Sequence, residues 1–235
     1  MPEFRRPHHR ALVGILDAMN ASFLERTGCF FGGGTCIALM LDEFRESRDI
    51  DFLCASRDGF RALRESVTED SLGKIMKRKV ALAREVRADR DGIRTFFSAG
   101  ALRVKLEIIL EARINLRGAP QRFLGVPVLD LECLAAEKFL ANADRGLDDS
   151  TRSRDVIDLA FLAASRGKQA LEPGLRLAET AYGLAVRRAL KLALAPFSEN
   201  PRHASNCAHS LGIEDLVSLR KGLAALKTLA GGRRQ

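Results

Sequence analysis

The chain has 235 residues, 46% of them hydrophobic and 29% charged, with 38 lysines and arginines against 30 aspartates and glutamates for a net charge of +8. That is enough apolar material for one large or two modest domains, and it excludes a disordered tail. No stretch approaches the roughly 20 apolar residues of a membrane span, and residues 1–26 are too charged and interrupted for a secretory leader, so no membrane association is expected.

In chain order, residues 8–26 place Leu12, Ile15, Leu16, Met19 and Phe23 at helical spacing and predict one amphipathic helix. An apolar run, Cys29-Phe30-Phe31, leads into Gly32-Gly33-Gly34-Thr35, the signature of a strand end turning into a short helix over residues 36–44 capped by Thr35. Glycines there let the backbone take positive φ and approach a ligand, and the helix start offers unpaired N–H groups to a triphosphate. Asp49 and Asp51 follow in the apolar segment Asp49-Ile50-Asp51-Phe52-Leu53-Cys54, where a strand's period of two puts both carboxylates on one face. Such a pair repels itself unless a divalent cation relieves it, and Mg²⁺ keeps phosphate oxygens in its shell. Alone, the motifs read more readily as a solvated acidic turn and an ordinary glycine turn; together they point to a metal-bridged nucleotide.

Residues 57–78 predict a basic helix. Residues 80–86 and 93–97 then flank Asp89-Arg90-Asp91-Gly92 as a hairpin, and 102–110 alternate as a strand with Arg103, Lys105 and Glu107 on one face. Beyond Gly125-Val126-Pro127 the pattern becomes helical over 131–142, 152–165, 174–194 and 213–229, ending in the short basic tail Gly231–Gln235. The fold class expected is α+β: a mixed-sheet domain with flanking helices over residues 1–128 and a helical bundle over 129–235, with the cleft between them as the expected site.

These motifs resemble the polymerase-β-like nucleotidyltransferases, and the local pattern Gly33-Gly34-Thr35, then Arg45-x-Ser47-x-Asp49-Ile50-Asp51-Phe52, is similar to the AbiEii/AbiGii toxin branch. Glu137-Lys138-Phe139-Leu140 with Arg145, and Arg154-Asp155-Val156-Ile157-Asp158-Leu159, resemble that branch's later motifs. The resemblance spans residues 28–162 in order. It implies a nucleotidyltransferase-type fold and transfer of an NMP from an NTP to an acceptor hydroxyl, with Mg²⁺ held by Asp49 and Asp51. The triphosphate is expected at Gly33, Gly34 and Thr35, with Arg45 and Ser47 either reaching phosphate oxygens or capping their loop. Glu107 stands either as third metal ligand and general base or as the ion-pair partner of Lys105 or Arg103. Lys138, two helical turns from Arg145, would neutralise charge on the nucleotide, with Asp158 orienting it or acting directly; the bland reading of Lys138 is a surface partner of Glu137 or Asp144. Asp155 could merely favour the helix dipole.

The resemblance also implies a toxin paired with an antitoxin and an RNA acceptor such as a tRNA 3′ end. Alternatives are transfer to a protein or small-molecule hydroxyl, and a non-catalytic nucleotide- or RNA-binding module. The basic balance suits a polyanionic partner, though each basic cluster reads equally as solvated surface. Cys29, Cys36, Cys54, Cys133 and Cys207 lack metal spacing and are expected as buried free thiols in a reducing cytoplasm; His8, His9, His203 and His209 lie outside every motif and are expected at the surface or in packing.

Overall fold

The computed structural model describes residues 3–232, so the basic tail lies, from Arg233 on, outside the described residues. Helix α1 (Pro7–Asp17) starts with proline in its first turn, where a missing N–H costs nothing, and buries Leu12, Ile15 and Leu16. It does not run on to residue 26. Asn20 leaves helical geometry, donates its N–H to the Ile75 carbonyl at 2.8 Å, and caps α2 (Ala21–Arg26) by accepting from the Phe23 N–H at 3.2 Å. An asparagine side chain competes with the backbone ladder, and here it divides the expected single helix in two.

Strand β1 (Cys29–Gly32) leads directly into α3 (Gly33–Met40), and β2 (Asp49–Cys54) carries the two aspartates. Helix α4 (Arg57–Glu65) is shorter than expected. It ends where the Ser66 hydroxyl donates to the Leu63 carbonyl and Thr68 pairs with Ser71. Strands β3 (Leu82–Ala88) and β4 (Gly92–Ala99) form the expected hairpin, its turn held by the Asp89 carboxylate accepting the N–H groups of Asp91 and Gly92 at 2.8 Å each. Strand β5 (Leu102–Leu110) completes a five-stranded sheet of order β1-β2-β5-β4-β3. Among these five strands β2 and β5 pair in parallel and the other neighbours antiparallel.

The register gives the sheet one buried and one open face. Ile50 and Phe52 of β2, Val104, Leu106 and Ile108 of β5, and Ile93 and Phe97 of β4 all face the core. The alternate residues, Asp49, Asp51, Lys105, Glu107, Arg94 and Phe96, form the open face. Helices α1, α2 and α4 lie against β5, β1 and β2 respectively.

The helices that follow are α5 (Leu131–Arg145), α6 (Arg154–Arg166), α7 (Lys168–Tyr182), α8 (Ala185–Leu194), α9 (Pro196–Glu199), α10 (His203–Leu211) and α11 (Leu216–Gly231). The single helix expected over 174–194 is broken between α7 and α8 at Gly183, whose backbone (φ 59°, ψ −148°) leaves the helical region. Helix α5 packs on α6, α7 and α8, and α11 on α6, around buried Phe139, Leu140, Ile157, Leu175, Leu190 and Leu219. Two compact units divide the described residues: one runs through Cys36 and resumes over Ser47–Asp130, and the other holds Ile37–Glu46 and the residues from Leu131 on. All five cysteines are buried free thiols, and among the described residues no helix is long and apolar enough to cross a membrane.

Asn20→Ala removes the cap acceptor of α2 and is expected to cost about 1 kcal/mol, seen as a lower urea midpoint with unchanged slope; Asn20→Asp should retain the wild-type midpoint.

Candidate active site

The sequence-predicted residues fall into two clusters, one in each unit. In the sheet unit, Gly32 stands opposite Asp51 across the β1–β2 pair, and Gly33 opens α3 with a positive φ of 69°. A Cβ built on Gly33 would lie 2.5 Å from Oδ2 of Asp51, so only glycine allows that carboxylate against the start of the helix. Asp49 and Asp51 share the open face and are both half-buried, because the intervening Ile50 is locked into the core. Cys36, in the first turns of α3, feels the site. Burial pushes its thiol well above its ordinary value, and the Asp51 charge pushes the same way.

Thr35 does not cap α3 but lies inside its first turn. Its hydroxyl donates to the Asp49 carbonyl at 2.5 Å and accepts from the Ser47 hydroxyl at 2.7 Å, tying the start of β2 to the start of the helix. The Ser47 N–H in turn donates to Nε2 of His9 at 3.0 Å. His9 is fully buried on α1, and its neighbour His8 meets the Arg48 carbonyl at 3.3 Å, so this pair fixes the loop before the aspartates. Sequence reasoning left the positioning role of His9 unseen, since a histidine on an apolar helix face carries no motif.

Glu107 stands beside Asp51 in the parallel register. Both of its oxygens are paired: Oε1 accepts from Arg94 Nε at 2.6 Å and Oε2 from Lys105 Nζ at 2.7 Å. Lys105 was an expected partner; Arg94 replaces the expected Arg103, because Arg94 is the residue directly opposite on β4. Burial works to raise the Glu107 carboxyl, but its bonds to Lys105 and Arg94 prevail and hold it below its ordinary value. Among the described residues no three histidine, cysteine, aspartate or glutamate side chains are placed to enclose a metal. The donor set next to the helix start is therefore two carboxylates. That suits Mg²⁺, which takes few protein ligands and completes its shell with phosphate and water.

The second cluster is a buried ion network in the helical unit. Arg45 donates to Asp158 through Nε at 2.6 Å and Nη2 at 2.9 Å. Lys138 Nζ lies 2.9 Å from Asp155 and 3.0 Å from Asp158. Arg145 binds Asp155 through Nε at 2.8 Å and Nη2 at 3.1 Å. Arg45, Lys138, Asp155 and Asp158 are all at most 6% exposed. Lys138 is thus an interior residue rather than a surface partner of Glu137 or Asp144, and Asp155 joins Lys138 to Arg145. Burial opposes its ionisation, but the charge of Lys138 and the bonds from Arg145 hold its carboxyl far below the usual carboxylate range. Burial likewise opposes the charge on Lys138, yet Asp158 and Asp155 raise its pKa.

The segments feeding this network are strained. Asp42 and Glu43, just before Arg45, and Arg152 and Ser153, just before α6, are consecutive non-glycine residues at positive φ. Ring packing helps hold Arg45: its guanidinium lies 5.8 Å from the Phe44 ring, which stacks on Phe161 with centroids 4.0 Å apart.

A sequence-family model described as nucleotidyl transferase AbiEii toxin, type IV toxin–antitoxin system, matches residues 15–216. The chain belongs to this family. It is accordingly a nucleotidyltransferase of the AbiEii type. Among solved structures it is similar to JHP933 from Helicobacter pylori, with 17% identity, TM-score 0.53, and coverage of 97% of this chain and 92% of the other. A second structure from H. pylori, described as that of a candidate nucleotidyltransferase, matches with 17% identity, TM-score 0.51 and coverage of 95% and 92%. MenT4, a nucleotidyltransferase toxin from Mycobacterium tuberculosis, matches with 17% identity, TM-score 0.47 and coverage of 94% and 86%. A comparison with curated protein sequences finds no match. At such identities the structural likeness speaks for the fold.

The ion network of this AbiEii protein makes its stability depend on acid. Asp155 is depressed when folded, so its charge stabilises the protein above its ordinary value of 3.8 and that contribution is lost as pH falls through and below it. Asp155→Asn is expected to flatten the fall in stability between about pH 5 and pH 2; an equally steep fall in urea unfolding of the variant would refute this. Asp158→Ala leaves Arg45 and Lys138 short of a buried partner, and is expected to destabilise by about 3–5 kcal/mol.

Proposed function

We propose that the protein moves an NMP from an NTP to an acceptor hydroxyl at the 3′ end of an RNA such as a tRNA, as the toxin of a cytoplasmic toxin–antitoxin pair. The observation that carries this reading is the placement of Asp51 against the first residue of α3, with Asp49 on the same open sheet face. The N–H groups of Gly33, Gly34 and Thr35 at the positive end of the helix suit the β and γ phosphates. The Thr35 and Ser47 hydroxyls are engaged with each other and with Asp49, so they serve by holding the cradle to the carboxylate strand.

Asp49 and Asp51 would hold Mg²⁺, with Glu107 able to join them if Arg94 or Lys105 releases an oxygen. When bound, the ion lowers the pKa of the acceptor hydroxyl and offsets charge on the departing pyrophosphate. The residues themselves orient the triphosphate and keep the α-phosphorus in line with the attacking oxygen. For Lys138, Arg145 and Asp158 a supporting electrostatic role is part of the reading. Its support is their shared buried network, in which Arg45, Lys138 and Arg145 bind the two aspartates.

The family description supports the toxin part and an antitoxin partner, and the net charge of +8 supports a polyanionic acceptor. Incubating the protein with each α-labelled NTP, Mg²⁺ and total RNA is expected to put label into RNA. Label in protein or a small molecule instead would redirect the acceptor, and no label anywhere would defeat the reading. Asp49→Ala and Asp51→Ala are each expected to lower transfer by about 10²- to 10³-fold, an electrostatic loss of the size seen for key charge-stabilising groups, while circular dichroism stays unchanged.

A further inference from the structure

Beyond the two aspartates, the open face of the sheet continues as two straight rows of side chains. One runs Asp49, Lys105, Phe96, Arg84, each directly opposite the next in the strand register. The other runs Asp51, Glu107, Arg94, Arg87. Both rows begin at a carboxylate and end in an arginine on β3. Phe96 is half-buried on this face, and the Arg84 guanidinium lies 5.1 Å from its ring centroid. Arg84 and Arg87, and Arg103 on the same face of β5, are exposed and have no carboxylate partner among the described residues. Glu107, the acid between them on the face, is already neutralised by Lys105 and Arg94, and Arg94 also meets Asp89 at 3.2 Å.

The chemistry fixes the direction of approach. With the triphosphate at the helix start, as the transfer reading has it, the leaving pyrophosphate would lie toward α3 and β1, on one side of β2. In-line attack then brings the acceptor from the opposite side, and on this sheet that side is β5, β4 and β3. From β2 to β3 is three inter-strand steps of about 4.8 Å each, on the order of 14 Å. That is room for about two to four nucleotides, between the 3.4 Å stacked spacing of a duplex strand and roughly twice that when extended.

We propose that this face is the acceptor-strand track: the unpaired 3′ end of the RNA lies across β5, β4 and β3, a base stacks on Phe96 beside Arg84, and Arg103, Arg84 and Arg87 take the phosphates. The assignment rests on the transfer reading above and adds to it where the acceptor binds and that its end must be single-stranded. A flat aromatic beside a guanidinium is sequence-tolerant, so the track selects for an unpaired end rather than for particular bases.

The test uses the full chain and an unstructured, 5′-fluorescent RNA 12-mer, with binding read by anisotropy without NTP and transfer read with saturating NTP and Mg²⁺. Phe96→Ala is expected to weaken RNA binding and raise KM for RNA by about five- to a hundredfold. The KM for NTP, and kcat at saturating RNA, should stay near wild type. Phe96→Tyr keeps a stacking ring and should restore binding, which a loss of folding would not allow. Arg84→Gln and Arg103→Gln should each weaken binding and lower the slope of log K against log salt by about one. If the wild type labels the RNA and these variants match it in KM and in salt slope, the track is overturned while the transfer reading stands. If the wild type labels protein or a small molecule and never RNA, the RNA reading and the track fall together.

Discussion

Strand β2 meets two demands along one backbone, and the arrangement of the sheet unit follows from meeting both. Ile50, Phe52 and Cys54 must enter the core, and they pin the strand between β1 and β5. A slip of one residue would bury Asp49 and Asp51 and expose the apolar set, at a cost of several kcal/mol for each unpaired charge. The hydrophobic pattern of six residues therefore sets two carboxylates on the open face. The same alternation on β5 and β4 lines up Glu107 and Arg94 beside them.

Negative charges gathered on one face need compensation, and the two units handle charge differently. On the sheet, Glu107 is balanced by Lys105 and Arg94, while the half-exposed pair on β2 faces solvent and the positive start of α3. In the helical unit the charges are interior, and each aspartate is shared between two cations. Replacing one member of such a network costs more than the net worth of the network, because the desolvated partner remains. Two stretches of left-handed backbone lead into it, and strain of that kind persists only where the surrounding packing over-determines the conformation.

The sequence made legible what depends on short periods. Asp49 and Asp51 are two apart in an apolar run, Arg103, Lys105 and Glu107 alternate in another, and Asp89 heralds a turn; all three arrangements are present in the fold. What stayed hidden depends on long-range partners. Arg45 reads as a loop residue near the cradle, yet its carboxylate partner, Asp158, lies 113 positions away. Asp155 looked like a first-turn acid because nothing local announces Lys138 and Arg145 above it. The helix over residues 8–26 was overextended because its apolar spacing continues through Met19 and Phe23, and only the bond from Asn20 to the Ile75 carbonyl shows why the chain turns there. Thr35 was read as a cap from its place after glycines; its hydroxyl is instead bound to the Asp49 carbonyl.

The parallel pairing of β2 with β5 bears on when activity can arise during synthesis. The glycine turn and both aspartates leave the ribosome well before Leu110, and until then β2 has only the four-residue β1 beside it. A two-stranded ribbon of that size is marginal in water, and long-range parallel closure is slow. A growing polypeptide that already carries the glycine turn and both aspartates therefore still lacks the sheet that positions them, and the two acids are fixed on one face only after the hairpin and its following strand have been made and zipped in.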